Sequence, residues 1–169
     1  MVLRRRLFIV DFWILVTLAM GYVWSRRATS VRPARAALAA LTGYTAIMLV
    51  ITGVGRARVT GAYPGHRILV EPNPIVPWQR DVLIDEPLGY RFGSFSLLGG
   101  VRTYPQMLPK ADTGSAVHRA RQLPQVRRFL TWARFPMYRV SNQSGRTVVW
   151  VGDARYEGAD WASITVALP

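Results

Sequence analysis

Two apolar stretches in the first third of the chain constrain it most, because runs of that length must either cross a bilayer or be buried on every side. Leu7 to Trp24 is an 18-residue run in which only Asp11, Thr17 and Gly21 are not strongly apolar. As a helix it spans about 27 Å, enough to cross the hydrocarbon layer. Ala36 to Val54 adds 19 residues without a charge, interrupted only by Thr and Gly, which membrane helices tolerate. Between the two lies a short basic turn with Arg26, Arg27, Arg32 and Arg35, and Pro33 is placed to open the second helix. Residues 1–55 therefore predict a transmembrane helical hairpin, with helices at about 7–24 and 36–54.

Two other readings compete with the hairpin. Arg4, Arg5 and Arg6 ahead of an apolar run resemble the start of a signal peptide, but the run is too long and no small-x-small cleavage site follows it before the charged turn. A soluble protein with two buried core helices is the other alternative, since both segments lack the polar stripe that a surface helix must show. Within the first span, Asp11 is a carboxylate at a costly depth. It reads either as a functional group or as a helix-end residue reaching back to the headgroups beside Arg6. Ala36, Ala40 and Gly43 put small side chains on one helix face and predict where a neighbouring helix packs. Six Arg flank the outer ends (Arg4, Arg5, Arg6, Arg56, Arg58 and Arg67) against four in the turn, which favours both ends in the cytoplasm.

After Val54 the composition changes. Residues 56–77 read as a Pro-rich lead-in, in which Ile68 to Glu71 is a short strand and Pro72, Pro74 and Pro77 prevent regular structure after it. Residues 78–169 read as a β-rich extramembrane domain. Trp78 to Glu86 and Gly89 to Leu98 are strands joined around Pro87, and Val101 to Tyr104 extends the sheet as an edge. Ser115 to Phe135 changes to helical period, with Val117, Ala120, Val126, Phe129, Leu130 and Ala133 on one side and Pro124 restarting the helix. Its other side carries Arg119, Arg121, Arg127, Arg128 and Arg134. Met137 to Ser141 and Arg146 to Val151 flank a hairpin turn closed by Gly145, and Trp161 to Leu168 is a closing strand. The expectation is an α+β membrane protein: a two-helix hairpin, then one antiparallel sheet of five or six strands carrying one helical segment.

The inventory of reactive groups is short. The chain has no Cys, which excludes disulfide scaffolds and thiolate chemistry. His66 and His118 stand 52 residues apart with no ligand-spaced partner, so no metal site is recognised, and no phosphate-cradling Gly loop or nucleophile elbow is present. Two clusters remain. Asp153 and Arg155, followed by Tyr156, lie at a strand end, where an extended backbone would point the first two to one face and let them pair, closing a loop or holding a polar ligand. Asp81, Asp85 and Glu86 with His66 are either a weak cation site or solvated strand-end charges. A formal charge of +13 comes from 21 Arg and Lys110 against nine acids. Arg26, Arg27, Arg32, Arg35, Arg56 and Arg58, beside the apolar runs, suit anionic headgroups. Nucleic acid is not expected as a partner, since only Arg119 to Arg134 with Trp132 resembles a stacking basic face. A general bias of composition toward Arg is the alternative source of the charge.

Four segments carry a resemblance. Ile9-Val10-Asp11-Phe12 opens a membrane helix, and Pro72-Asn73-Pro74 runs into Trp78. Arg128-Phe129-Leu130 is followed by Arg134-Phe135-Pro136, and Gly152-Asp153-Ala154-Arg155-Tyr156 ends a Val-rich strand. Together they resemble the C-terminal part of the bacterial inner-membrane, membrane-bound metal-dependent hydrolase family, in which the place of Ala154 is more usually Leu. The resemblance implies a multi-pass protein of the bacterial inner membrane, a hydrolase activity and a divalent metal. The family's signature of the His-Arg-x-x-x-Thr-His-Ser type has no counterpart here, so no catalytic residue is assigned by it. The implied partners are membrane lipids and an upstream hydrolase half or a helix partner. A non-enzymatic module binding anionic lipid or a protein is the competing function.

Overall fold

The computed structural model describes residues 12–73, 75–143 and 145–168. Asp11, the Arg4-Arg5-Arg6 cluster and Pro74 lie outside the described residues. The chain folds as α+β, with four helices and seven strands in two sheets among the described residues, and it divides into two compact units. One unit runs up to Val82 and includes Gly93–Thr103; the other holds Leu83–Phe92 and the chain from Tyr104 onward. The first sheet has the order β1 (Arg67–Pro72), β2 (Gln79–Glu86), β3 (Gly89–Ser96), β4 (Gly100–Pro109). The second has the order β5 (Pro136–Gln143), β6 (Arg146–Asp153), β7 (Ser163–Ala167). The single sheet expected from the sequence is therefore two, since a period of two identifies strands but not their neighbours.

In the first unit, α1 (Phe12–Arg27) and α2 (Arg32–Ala62) form an antiparallel pair. Pro33 opens α2 at its first turn. Hydroxyl groups in both helices bond back to the carbonyl one turn earlier, as Thr17 does to Trp13 and Thr42 to Leu38, so they add no unpaired donor to the apolar surface. α2 has 31 residues, about 46 Å, and is the one described helix long and apolar enough to cross a membrane. It continues past Val54 to Ala62, which corrects the helix end and the start of the lead-in: Arg56 and Arg58 end the apolar run without ending the helix. The packing face also differs. Gly21 of α1 meets α2 at Ala37, whose Cβ lies 2.4 Å from where a Gly21 Cβ would stand, and no side chain larger than hydrogen fits there. Ala36, Ala40 and Gly43 are exposed instead, with nothing within 4 Å of a Cβ built on Gly43.

Near the C-terminal end of α2, Ile51, Gly55 and Val59 are buried, and the ring of Phe95 lies on Gly55 at the distance a Cβ would need. Arg80 of β2 is fully buried against the same helix. Its guanidinium donates to Thr52 Oγ1 (2.9 Å), Met48 O (2.9 Å), Pro77 O (2.6 Å) and Gln79 O (2.9 Å). Burial pushes this guanidinium down from its ordinary value. The loop after β1 is held by Asn73, whose side-chain oxygen accepts from the amides of Ile75 and Val76.

In the second unit, α3 (Ser115–Gln122) and α4 (Pro124–Trp132) pack on the β5–β7 sheet. The core joins Val117, Ala120 and Val126 of the helices to Tyr138, Val149, Val151, Val166 and Leu168 of the strands and chain end, with Phe129 and Leu130 at its margin. These are the apolar positions that the helical period marks. The one helical segment is two short helices, because Pro124 drives the preceding residue out of the helical region: Leu123 has φ −67° and ψ 135°. Strands β5 and β6 pair from Pro136↔Asp153 to Gln143↔Arg146, and β7 pairs with β6 from Val148↔Ala167 to Gly152↔Ser163. This makes β6 the central strand.

Candidate functional site

β6 ends at Asp153, where the register places it opposite Pro136. The backbone does not stay extended beyond it, which corrects the expected geometry: Ala154–Tyr156 is a 3-10 turn and Asp153 is its N-cap. The carboxylate, 1% exposed, accepts from Arg155 N at 3.0 Å and from Arg134 N at 2.7 Å. The Arg155 guanidinium completes the shell, with Nε 3.0 Å from Oδ1 and Nη2 2.8 Å from Oδ2. The pairing expected from the sequence is thus present, in a bidentate form that suits a planar guanidinium. Burial alone would raise the Asp153 carboxyl. The hydrogen bonds from Arg155, its charge and the Arg134 amide outweigh that and hold it below the usual carboxylate range. An ionised carboxylate saturated in this way is no general base and has no open position for a ligand.

What the pair does is set the aromatic groups above it. The Arg155 guanidinium stacks 4.8 Å from the ring centre of Tyr156 and 5.3 Å from that of Trp132. Trp132 and Tyr156 are near parallel with centres 5.6 Å apart, and Trp161 closes the group at 4.9 Å from Tyr156 and 6.1 Å from Trp132. Phe129, one turn before Trp132, connects the group to the core. Trp132 and Trp161 remain 45% and 59% exposed. Sequence reasoning singled out Asp153, Arg155 and Tyr156 and noted Trp132, but it missed Trp161, which arrives from the far side of the turn and has no local signal.

The glycine of the same motif also has a packing reason. The Trp150 ring lies over Gly152, and a Cβ there would stand 2.2 Å from Trp150 Cη2. Arg139 stacks on that indole at 4.8 Å and pairs with Glu157 at 3.1 Å. On β3 of the other sheet Tyr90, 2% exposed, donates its hydroxyl to Pro136 O at 2.8 Å, and burial followed by the Asp85 charge pushes its phenol well above the ordinary value.

The remaining predicted positions do not converge on a site. Asp85 pairs with Lys110, Glu86 with Arg91, and Asp81 accepts from Asn73. His66 lies in a turn beside Tyr63, and exposed His118 faces Gln122. Among the described residues, no group of three His, Asp or Glu side chains is placed to hold a metal ion. Arg26, Arg27, Arg32, Arg35, Arg56 and Arg58 are all exposed, with Arg26 stacked on Tyr22. No protein-family model matches the chain, and no curated protein and no solved structure matches it.

Proposed function

We propose that the chain is a membrane-anchored module without a catalytic centre of its own. In this reading α1 and α2 insert side by side in the bacterial inner membrane, both ends facing the cytoplasm. The sheets with α3 and α4 form the extramembrane part, completing a metal-dependent hydrolase whose metal site lies on another segment or polypeptide.

One observation carries the anchoring. The most apolar window of α2 is only 6% buried. A core helix of a soluble protein hides such a surface; this one leaves Leu38, Ile47, Leu49 and Val50 exposed, and α1 leaves Leu15, Met20 and Trp24 exposed. The uncharged segment between Arg35 and Arg56 is about 30 Å long at the helical rise, which matches the hydrocarbon thickness and places a basic residue at each border. The non-catalytic part of the reading is supported by the saturated Asp153 carboxylate, and the link to a hydrolase by the sequence resemblance.

The test is alkaline carbonate washing of membranes containing the full chain. Retention in the pellet is expected, and release of the chain into the supernatant overturns the anchor. Stoichiometric metal in the purified chain, or phosphoester or ester hydrolysis by the chain alone, overturns its non-catalytic role.

A further inference from the structure

Trp132, Tyr156 and Trp161 build one aromatic surface within the second unit. Two indoles and a phenol gathered within 6.1 Å of one another are ordinarily core material, yet here both Trp side chains stand half in solvent. They are fixed rather than floppy, because the Asp153–Arg155 pair beneath them holds the Arg155 guanidinium against two of the three rings.

The helical segment that carries Trp132 is charged with one sign only. From Ser115 to Arg134 there are five Arg and no acidic residue. Arg121 is committed to the core side, donating to Tyr138 Oη at 2.9 Å and stacking on its ring. Arg119, Arg127, Arg128 and Arg134 are exposed. Arg128 precedes Trp132 by one helical turn, so the two share a face of α4. Of the acids adjacent to Tyr156 and Trp161 in sequence, Glu157 is tied to Arg139, and Asp160 is one exposed acid to four exposed arginines.

We propose that this aromatic and arginine surface docks on the anionic headgroup layer of the bilayer. Rigid amphipathic rings flanked by cations are what the membrane interface selects, the indoles lying at headgroup level and the guanidinium groups meeting phosphate. Each exposed arginine near an anionic surface strengthens binding about fivefold. The inference rests on the reading of α2 as a bilayer anchor, since tethering converts a weak surface affinity into an intramolecular contact.

The chain has no Cys, so one introduced thiol labels one position. The full chain carrying a nitroxide at Thr131→Cys, beside the patch, is reconstituted in vesicles rich in phosphatidylglycerol and in neutral phosphatidylcholine vesicles. Collision with oxygen and with a water-soluble nickel chelate is then measured. In anionic vesicles the label is expected to lose nickel access several-fold and gain oxygen access. High salt, neutral lipid, or the background changes Arg127→Gln and Arg128→Gln are expected to return it to water values. A second label at Leu49→Cys reads the anchor in both lipids. If Leu49 reports water, the anchor reading fails; if Leu49 reports lipid while Thr131 reports water in both compositions, the docking inference alone is overturned. A Thr131 label shielded equally in both lipids places a protein or a second copy on the patch and also overturns it.

Discussion

Removing the Asp153 carboxylate separates a structural from a chemical role for the motif at the end of β6. Asp153→Ala leaves the Arg134 and Arg155 amides without an acceptor in a buried turn, at about 1–3 kcal/mol each if unsolvated. It also leaves the Arg155 guanidinium, whose side chain is 9% exposed, without its counter-charge. Breaking one side of a buried pair typically costs about 3–5 kcal/mol, and because these terms share one carboxylate they do not simply add, so the expected loss is about 3–5 kcal/mol. For a chain of this size that corresponds to a fall of roughly 6–20 °C in Tm. The assay is thermal unfolding of the full chain in detergent, followed by near-UV circular dichroism, which reports the Trp132–Tyr156–Trp161 stack. Arg155→Ala is expected to lose a comparable amount, and the double change Asp153→Ala with Arg155→Ala clearly less than the sum of the two. A Tm within about 2 °C of the wild type for Asp153→Ala would refute the structural role.

Three further outcomes follow from the same geometry. Because the folded carboxyl of Asp153 lies below its unfolded value of about 4, its stabilisation is complete above that pH and is lost as pH falls through the lower folded value; acid titration of Tm should therefore decline more steeply below about pH 4 in the wild type than in Asp153→Asn. Arg80→Lys keeps a charge but cannot reach Met48 O, Thr52 Oγ1 and Pro77 O together, and a loss of about 2–4 kcal/mol is expected in denaturant unfolding, against no change if the fork geometry is unimportant. Gly152→Ala drives a methyl group into the Trp150 ring and should destabilise by about 1–3 kcal/mol, with part of the loss recovered when Trp150→Val is added; equal stability of Gly152→Ala and wild type would contradict the packing.

Much of this architecture is legible in the order of residues, and the failures have physical causes. The apolar runs show where α1 and α2 lie, but a helix without a polar stripe does not say which face packs, and the small residues at Ala36, Ala40 and Gly43 point to the wrong one. The face that does pack is marked by Gly21 and Ala37. Charge misled at the end of α2, because Arg56 and Arg58 are unfavourable inside a bilayer and entirely compatible with a helix. The core residues of α3 and α4 follow from their period, whereas the break at Leu123 is a steric effect of Pro124 that the period does not register. Asp153 and Arg155 were readable as a pair because they are two residues apart. Arg80 and Trp161 were not, since each depends on a partner far along the chain, Arg80 on Thr52 and Trp161 on Trp132.

The central claim is that the part of α2 left uncovered by α1 and by Arg80 faces lipid rather than water. Single cysteines introduced one at a time from Pro33 to Arg58 of the full chain in sealed vesicles, probed with a membrane-impermeant maleimide from both sides, test it directly. The account predicts an unbroken block of unreactive positions from about Ala36 to Val54, on every face of the helix, bordered by reactive positions at Arg35 and Arg56. Reactivity that instead rises and falls every three to four residues through that block would mean that one side of the helix faces water, and would contradict the account.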